Sequence, residues 1–151
     1  MSRWTNPEEW QRLCSGELCP ICLRGKPTNV IAELDVSFLT AGEDMPIKGS
    51  CALFFKRHVV ELYELSSEEA AAFMHDAQRA SKTVHEVTRA VKMNYEIHGN
   101  TIPHLHLHLF PRYVGDAFEN QPINPRIVTT PVYASGEFAD FVARVQDALE
   151  R

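Results

Sequence analysis

Residues 101–113 read TIPHLHLHLFPRY, which sets His104, His106 and His108 at strict two-residue intervals with a leucine after each. Side chains on an extended strand alternate between faces, so the three imidazoles would share one face and Leu105, Leu107 and Leu109 the other. Successive imidazoles would stand roughly 6.5–7 Å apart along such a strand. The chain holds only seven histidines, so three in alignment call for a use. Two uses fit the residue type. Neutral imidazoles on one strand face can ligate a metal ion. Alternatively, one imidazole attacks phosphorus while its neighbours hold phosphate oxygens, since a pKa near 6.5 leaves imidazole a good nucleophile at neutral pH.

A second chemical signal is the pair Cys19 and Cys22 in CPIC. Cys-x-x-Cys is either a redox pair or half of a metal site. A thioredoxin-like pair would sit between a strand and a helix of a βαβ unit. Here the pair precedes the first predicted strand, in a loop bearing proline and glycine. Cys14 and Cys51 have no partners at metal-binding spacing and read as ordinary thiols, and Trp4 and Trp10 read as packing residues. Four cysteines used in this way suit a reducing compartment better than a disulfide framework.

The elements that must position these residues follow in order. After a polar start, GELCPICLRGKPTN is a turn-rich loop. VIAELDVSFLT (30–40) and SCALFFKRHV (50–59) read as strands, separated by turn residues. A long helix begins after Ser66, which with Glu69 has the capping-box spacing. Phe73, Ala77, Ala80, Val84, Val87 and Val91 follow at steps of three and four, one apolar stripe at helical period. His75 and His85 lie off that stripe and should face solvent. NYEIHGN brings a strand end and a glycine turn, then the histidine strand follows and Pro111 closes it. Residues 114–134 are irregular, with prolines at 122, 125 and 131. GEFADFVARVQDALE is a last amphipathic helix. Hairpin-like strands around a long helix make an α+β fold of antiparallel sheet and helices, in one domain over 1–151 with its core at about 15–116.

A net charge of −5 and 44% apolar residues argue against a bulk nucleic-acid binder, which would need clustered lysine and arginine. A small anion could still be met by Lys48, Lys56, Arg57 or Arg112. The start of the chain carries no apolar run like a signal peptide, and nothing approaches a membrane span. A cytoplasmic location is the expectation.

GNTIPHLHLHLFPR resembles the signature of the histidine triad family of nucleotide hydrolases and transferases, in which apolar residues alternate with three histidines. ALFFKRHVVELYELSSEE resembles the family's strand, basic pair, histidine and helix entry, and CPIC its zinc-containing branch. The nearest resemblance is to small bacterial diadenosine-polyphosphate hydrolases, over roughly residues 15–116. It implies that His106 is the nucleophile toward the α-phosphorus and that His108 contacts phosphate oxygens. Asn100 and Thr101 match the polar pair that binds phosphate or the bridging oxygen. Asn94 matches an asparagine near the phosphates, and Asp44 the acidic residue on the ribose hydroxyls. His58 and His104 would complete, with Cys19 and Cys22, a closed structural zinc site. A homodimer built by the long helix and a strand edge is implied as well. Rival readings are a phosphorylase or nucleotidyltransferase, a nucleotide-binding sensor with little turnover, and a metallohydrolase using all three histidines.

Overall fold

The computed structural model describes residues 3–45, 47–124 and 132–151. Pro46, Pro125 and Pro131 of the irregular stretches lie outside the described residues. Its sheet has five antiparallel strands: β1 Val30–Glu33, β2 Ser37–Ala41, β3 Cys51–Phe55, β4 Lys92–Glu96 and β5 His106–Arg112, in the order β1-β2-β3-β5-β4. Four α-helices accompany it: α1 Pro7–Cys14, α2 Pro20–Arg24, α3 Ser67–Thr88 and α4 Glu137–Leu149. The α+β architecture read from the sequence is the one observed.

Strand register sorts the two faces. Leu39 pairs with Leu53, Leu53 with Leu107, and Cys51 with Leu109. These side chains are buried with Phe73, Ala77, Ala80 and Val84 of α3 and Phe141, Val145 and Leu149 of α4. Both long helices therefore cover one face of the sheet, and the alternating leucines of the histidine stretch are that face's contribution from β5. The opposite face carries the histidines.

α3 opens on the expected cap. The Glu69 N–H donates to Ser66 Oγ and the Ser66 N–H to the Glu69 carboxylate, at 3.2 and 3.0 Å, two first-turn donors satisfied reciprocally. The helix stops at Thr88 because Arg89 turns left-handed (φ 56). Val91, the last position of the predicted stripe, thus falls outside the helix and is 65% exposed. Its N–H donates to the Arg112 carbonyl at 2.9 Å and leads into β4.

The structure corrects three further expectations. Residues 30–40 are not one strand but a hairpin, turning at Asp35 and Val36 between β1 and β2. The fully buried Asp76 of α3 holds that turn: its carboxylate accepts from the N–H groups of Asp35 and Val36 and from Ser37 Oγ, at 3.3, 3.0 and 2.6 Å. The polar start and cysteine loop contain α1 and α2. Asn6 caps α1 through its side chain and Pro7 occupies the first turn. Pro111 does not close the histidine strand, which runs on to Arg112. Its nitrogen faces the β3 side, as shown by the Phe55 N–H donating to the Leu105 carbonyl; β3's last pair there is Cys51 with Leu109, so the missing donor costs no ladder bond.

Asp76→Ala leaves two backbone N–H groups and one hydroxyl without their acceptor. We expect a loss of about 3 kcal/mol in urea unfolding, given the cost of unpaired buried donors. A loss below about 1 kcal/mol would show that the turn holds itself.

Candidate functional site

Register places His106 opposite Phe54 and His108 opposite Ala52 on β3. The His106 ring stacks on Phe54, centroids 4.8 Å apart at 14°, and meets His108 edge-on at 4.8 Å and 76°. His108 lies parallel to Phe110, 5.5 Å away at 4°. The nucleophile candidate is thus wedged between an aromatic floor and its neighbour. Its Nδ1 lies 2.6 Å from the main-chain carbonyl of His104. A carbonyl only accepts, so Nδ1 carries the proton and Nε2 presents its lone pair. Burial lowers the His106 pKa, partly opposed by that hydrogen bond. Burial also pushes His108 down to about 4, helped by the neighbouring His106 and His98. Both rings are therefore neutral at pH 7. His108 Nδ1 is buried without a hydrogen-bond partner. With Nδ1 enclosed, Nε2 is the nitrogen left to meet a ligand, and the tautomer protonated there would have an N–H to give.

His104 lies just before β5 and does different work. Its Nδ1 is 3.5 Å from Cys19 Sγ, 3.8 Å from Cys22 Sγ and 3.3 Å from His58 Nδ1, while Cys22 Sγ is 3.3 Å from His58 Nδ1. The four ligand atoms lie within 4.8 Å of one another. With bonds of about 2.0 Å to nitrogen and about 2.3 Å to sulfur, a tetrahedron separates two nitrogens by about 3.3 Å and nitrogen from sulfur by about 3.5 Å. The donor set fits one cation. Both imidazoles have their other nitrogen engaged: His58 Nε2–H donates to the Cys14 carbonyl at 2.8 Å and His104 Nε2–H to the Phe55 carbonyl at 2.7 Å. That fixes both Nδ1 atoms as ligands. Burial, with Cys19 alongside, pushes the Cys22 thiol up to about 11, so ligation would release its proton. The four residues proposed from sequence are brought together. The second grouping of Asp35, His75 and Asp76 includes the Asp76 carboxylate already spent on the hairpin turn.

A cleft of about 240 Å³ opens beside His108, bounded by Phe54 and Ala52 below, Ile102 at one side and Asp44 at another. Asp44 is among the residues that line the cleft. Asn100 and Thr101 lie exposed in the loop from β4 to β5, which reaches the cleft at Ile102. Asn94 is not among the cleft's lining residues. On β4 it pairs with Phe110 of β5, accepts from Arg112 Nη1 at 2.5 Å, and faces a separate groove of about 610 Å³.

The cations proposed to meet an anion are otherwise engaged. Lys48 pairs with Glu137, Lys56 with Glu33 and Arg57 with Glu69. Arg112 spends its donors on Asp116, Asn94 and the carbonyls of Gln121 and Phe118. None of the four lines the cleft. Sequence reasoning also missed Phe54 and Phe110 beneath the rings, and His98, whose ring is 6.1 Å from His108 and which pairs with Glu96 at 2.9 Å. Register with a strand distant in sequence reveals Phe54, whereas Phe110 follows from the two-residue alternation of β5 itself.

Comparison with known proteins bears on the fold and the family. The "Protein hit" of Bacillus subtilis (strain 168) is 28% identical over 96 residues, 60% of this chain and 61% of that protein, so the match spans less than two thirds of that relative. Among solved structures, the histidine triad protein of Bradyrhizobium japonicum superposes with a TM-score of 0.69 at 26% identity, over 80% of this chain and 89% of that one. The histidine triad protein of Marinobacter aquaeolei VT8 gives 0.67 at 27%, over 80% and 88%. A Zn-bound histidine triad family protein of Mycobacterium smegmatis shares the fold, with 0.62 at 20% over 93% and 91%. The model of the HIT domain matches residues 24–115, well over half of the sequence. The chain belongs to the HIT domain family.

Proposed function

We propose that this protein hydrolyses nucleoside phosphoanhydrides or phosphoramidates through a nucleotidyl-His106 intermediate, with dinucleoside polyphosphates such as diadenosine tetraphosphate as the leading substrate class. The observation that carries the reading is the fixed tautomer of His106, which leaves Nε2 its lone pair in a ring that meets neutral His108, itself at the edge of a cleft. In the first step Nε2 bonds to the α-phosphorus and the bond to the leaving oxygen, or to nitrogen in a phosphoramidate, breaks. The departing atom takes a proton from solvent or from a nearby group. The imidazolium that forms keeps its Nδ1–H on the His104 carbonyl, which becomes a stronger partner as charge develops. His108 Nε2–H donates to a phosphate oxygen where negative charge builds up. In the second step water attacks the adduct and gives up a proton to solvent, the phosphorus–nitrogen bond breaks and His106 returns neutral. This is covalent catalysis, with one hard displacement split in two. Asn100 and Thr101 are proposed phosphate contacts and Asp44 the ribose contact. A phosphorylase or nucleotidyltransferase would differ only in the acceptor of the second step.

The rival metal-hydrolase reading needs all three histidines on one ion. Only His104 belongs to the four-ligand cluster among the described residues. We propose zinc for that cluster, a structural ion with no open position, since a thiolate and imidazole set suits it. The Zn-bound relative supports the choice. We also propose a homodimer through α3 and the β4 edge, where Tyr95 and Ile97 are exposed and Lys82, His85 and Tyr95 border a groove. Pairing of two β4 edges would make one continuous sheet and cover an unpaired strand.

Three outcomes are expected. Protein purified without chelator should carry about one zinc per chain by elemental analysis, and Cys22→Ser should lower stability more than the chemical rate; metal-free native protein would remove the zinc assignment. Light scattering at micromolar concentration should give the mass of two chains, and a monomer would remove the dimer. Finally, His106→Ala should lose several powers of ten in hydrolysis while still binding nucleotide, whereas His108→Ala should lose about 10²–10³, as for one oxyanion donor. Acid-labile label from α-³²P nucleotide should appear on wild-type protein quenched during turnover. Full activity in His106→Ala would end the nucleophile assignment.

A further inference from the structure

The cleft has a direction that strand register makes explicit. His108 on β5 pairs with Ala52 on β3, Ala52 with Thr40 on β2, and Thr40 with Val30 at the start of β1. Three strand spacings separate the two ends, about 14 Å in all. A nucleotide whose phosphorus sits at His106 would lie across this row, with its ribose passing Asp44 and its base at the β1 end. That end is walled by α2 and the segment after it, including Pro20, Ile21, Arg24 and Pro27.

Arg24 is the sole lysine or arginine lining the cleft among the described residues. It is exposed, and its guanidinium has no acceptor among the described residues, in contrast to Lys48, Lys56, Arg57 and Arg112. Its helix is short but not loosely held. Cys19 caps α2 and Cys22 lies within it, and both reach the cluster with His58 and His104. Two ligands three residues apart fix both the position and the rotation of one helical turn, and Arg24 is the last residue of that turn. A guanidinium carries five donors and no acceptor. It therefore favours a base edge made of adjacent acceptors, such as O6 and N7 of a 6-oxopurine, over an edge presenting an amino group.

We propose that Arg24 is a specificity-determining residue that reads the purine edge, so that this protein prefers guanosine- and inosine-type nucleotides to adenosine-type ones. The proposal rests on the nucleotide reading of the cleft and refines it: among dinucleoside polyphosphates, those ending in a 6-oxopurine nucleoside are favoured over diadenosine ones. Pro20, Ile21 and Pro27 supply apolar contact that any base can use, and Arg24 supplies the discrimination.

The test is calorimetric binding of nucleoside 5′-monophosphates to metal-replete protein. Wild type should bind GMP and IMP more tightly than AMP. Arg24→Met should weaken GMP and IMP by about tenfold or more, the range of one lost bidentate pair, and leave AMP within about twofold. Arg24→Lys keeps the charge without the planar fork and should behave nearer to Arg24→Met than to wild type. A charge-only role predicts another pattern, in which Arg24→Lys restores affinity and the loss grows along GMP, GDP and GTP. That pattern, equal loss for all bases, or no loss at all each overturns the proposal while leaving nucleotide binding intact. Failure of wild type to bind any of the monophosphates removes the underlying nucleotide reading as well. Because Arg24 is exposed at the end of its helix, unfolding of the variants is not expected, and their thermal midpoints should match wild type.

Discussion

The main-chain carbonyl of His104 is the point on which the site turns. It accepts the Nδ1 proton of His106 at 2.6 Å, and that bond decides which nitrogen of His106 faces a substrate. The same residue's imidazole closes the cluster with Cys19, Cys22 and His58, and its far nitrogen is tied to the Phe55 carbonyl. One residue thus carries three constraints in three directions. A shift of His104 would disturb ligand geometry, strand entry and tautomer together. A strand alternates its side chains but not the function of its backbone, so adjacent histidines on one face can be assigned unlike tasks.

The low basicity of the two chemical histidines follows from where the sheet buries them. His106 is sandwiched on Phe54 and His108 on Phe110, so water is excluded from one side of each ring and the charged form is disfavoured. A depressed pKa keeps the rings neutral at pH 7, the form in which one can attack and the other can donate. The aromatic floor is therefore electrostatic as well as steric. The same exclusion of water would strengthen any hydrogen bond made to a developing charge in the cleft.

What could be read in advance was periodic or local. The alternation of histidine and leucine gave the two faces of β5, and the Ser66–Glu69 cap with its apolar stripe gave α3. The cysteine pair, with the family resemblance, gave a cluster that the structure does assemble. The signal for α1 is also local, an asparagine followed by proline and two acids at Asn6–Glu9. Other features have no local signature. The turn at Asp35 carries neither glycine nor proline and depends on Asp76, some forty residues on. Lys48 is neutralised by Glu137, 89 residues away, so its availability to a substrate could not be judged from its neighbours. Phe54 is an ordinary apolar strand residue until register sets it against His106, whereas Phe110 was legible from the alternation of β5.

The cluster has a temporal consequence as well as a spatial one. Cys19 and His104 are separated by 85 residues, so the cluster cannot be completed until that whole stretch of chain has been made. During synthesis the amino-terminal helices would emerge with their cysteines unpaired and wait for the β5 segment to appear. α3 needs no such delay, since its capping box and apolar stripe are contained within one stretch of chain. Assembly would then run from the middle outward, with the first residues made among the last to be fastened.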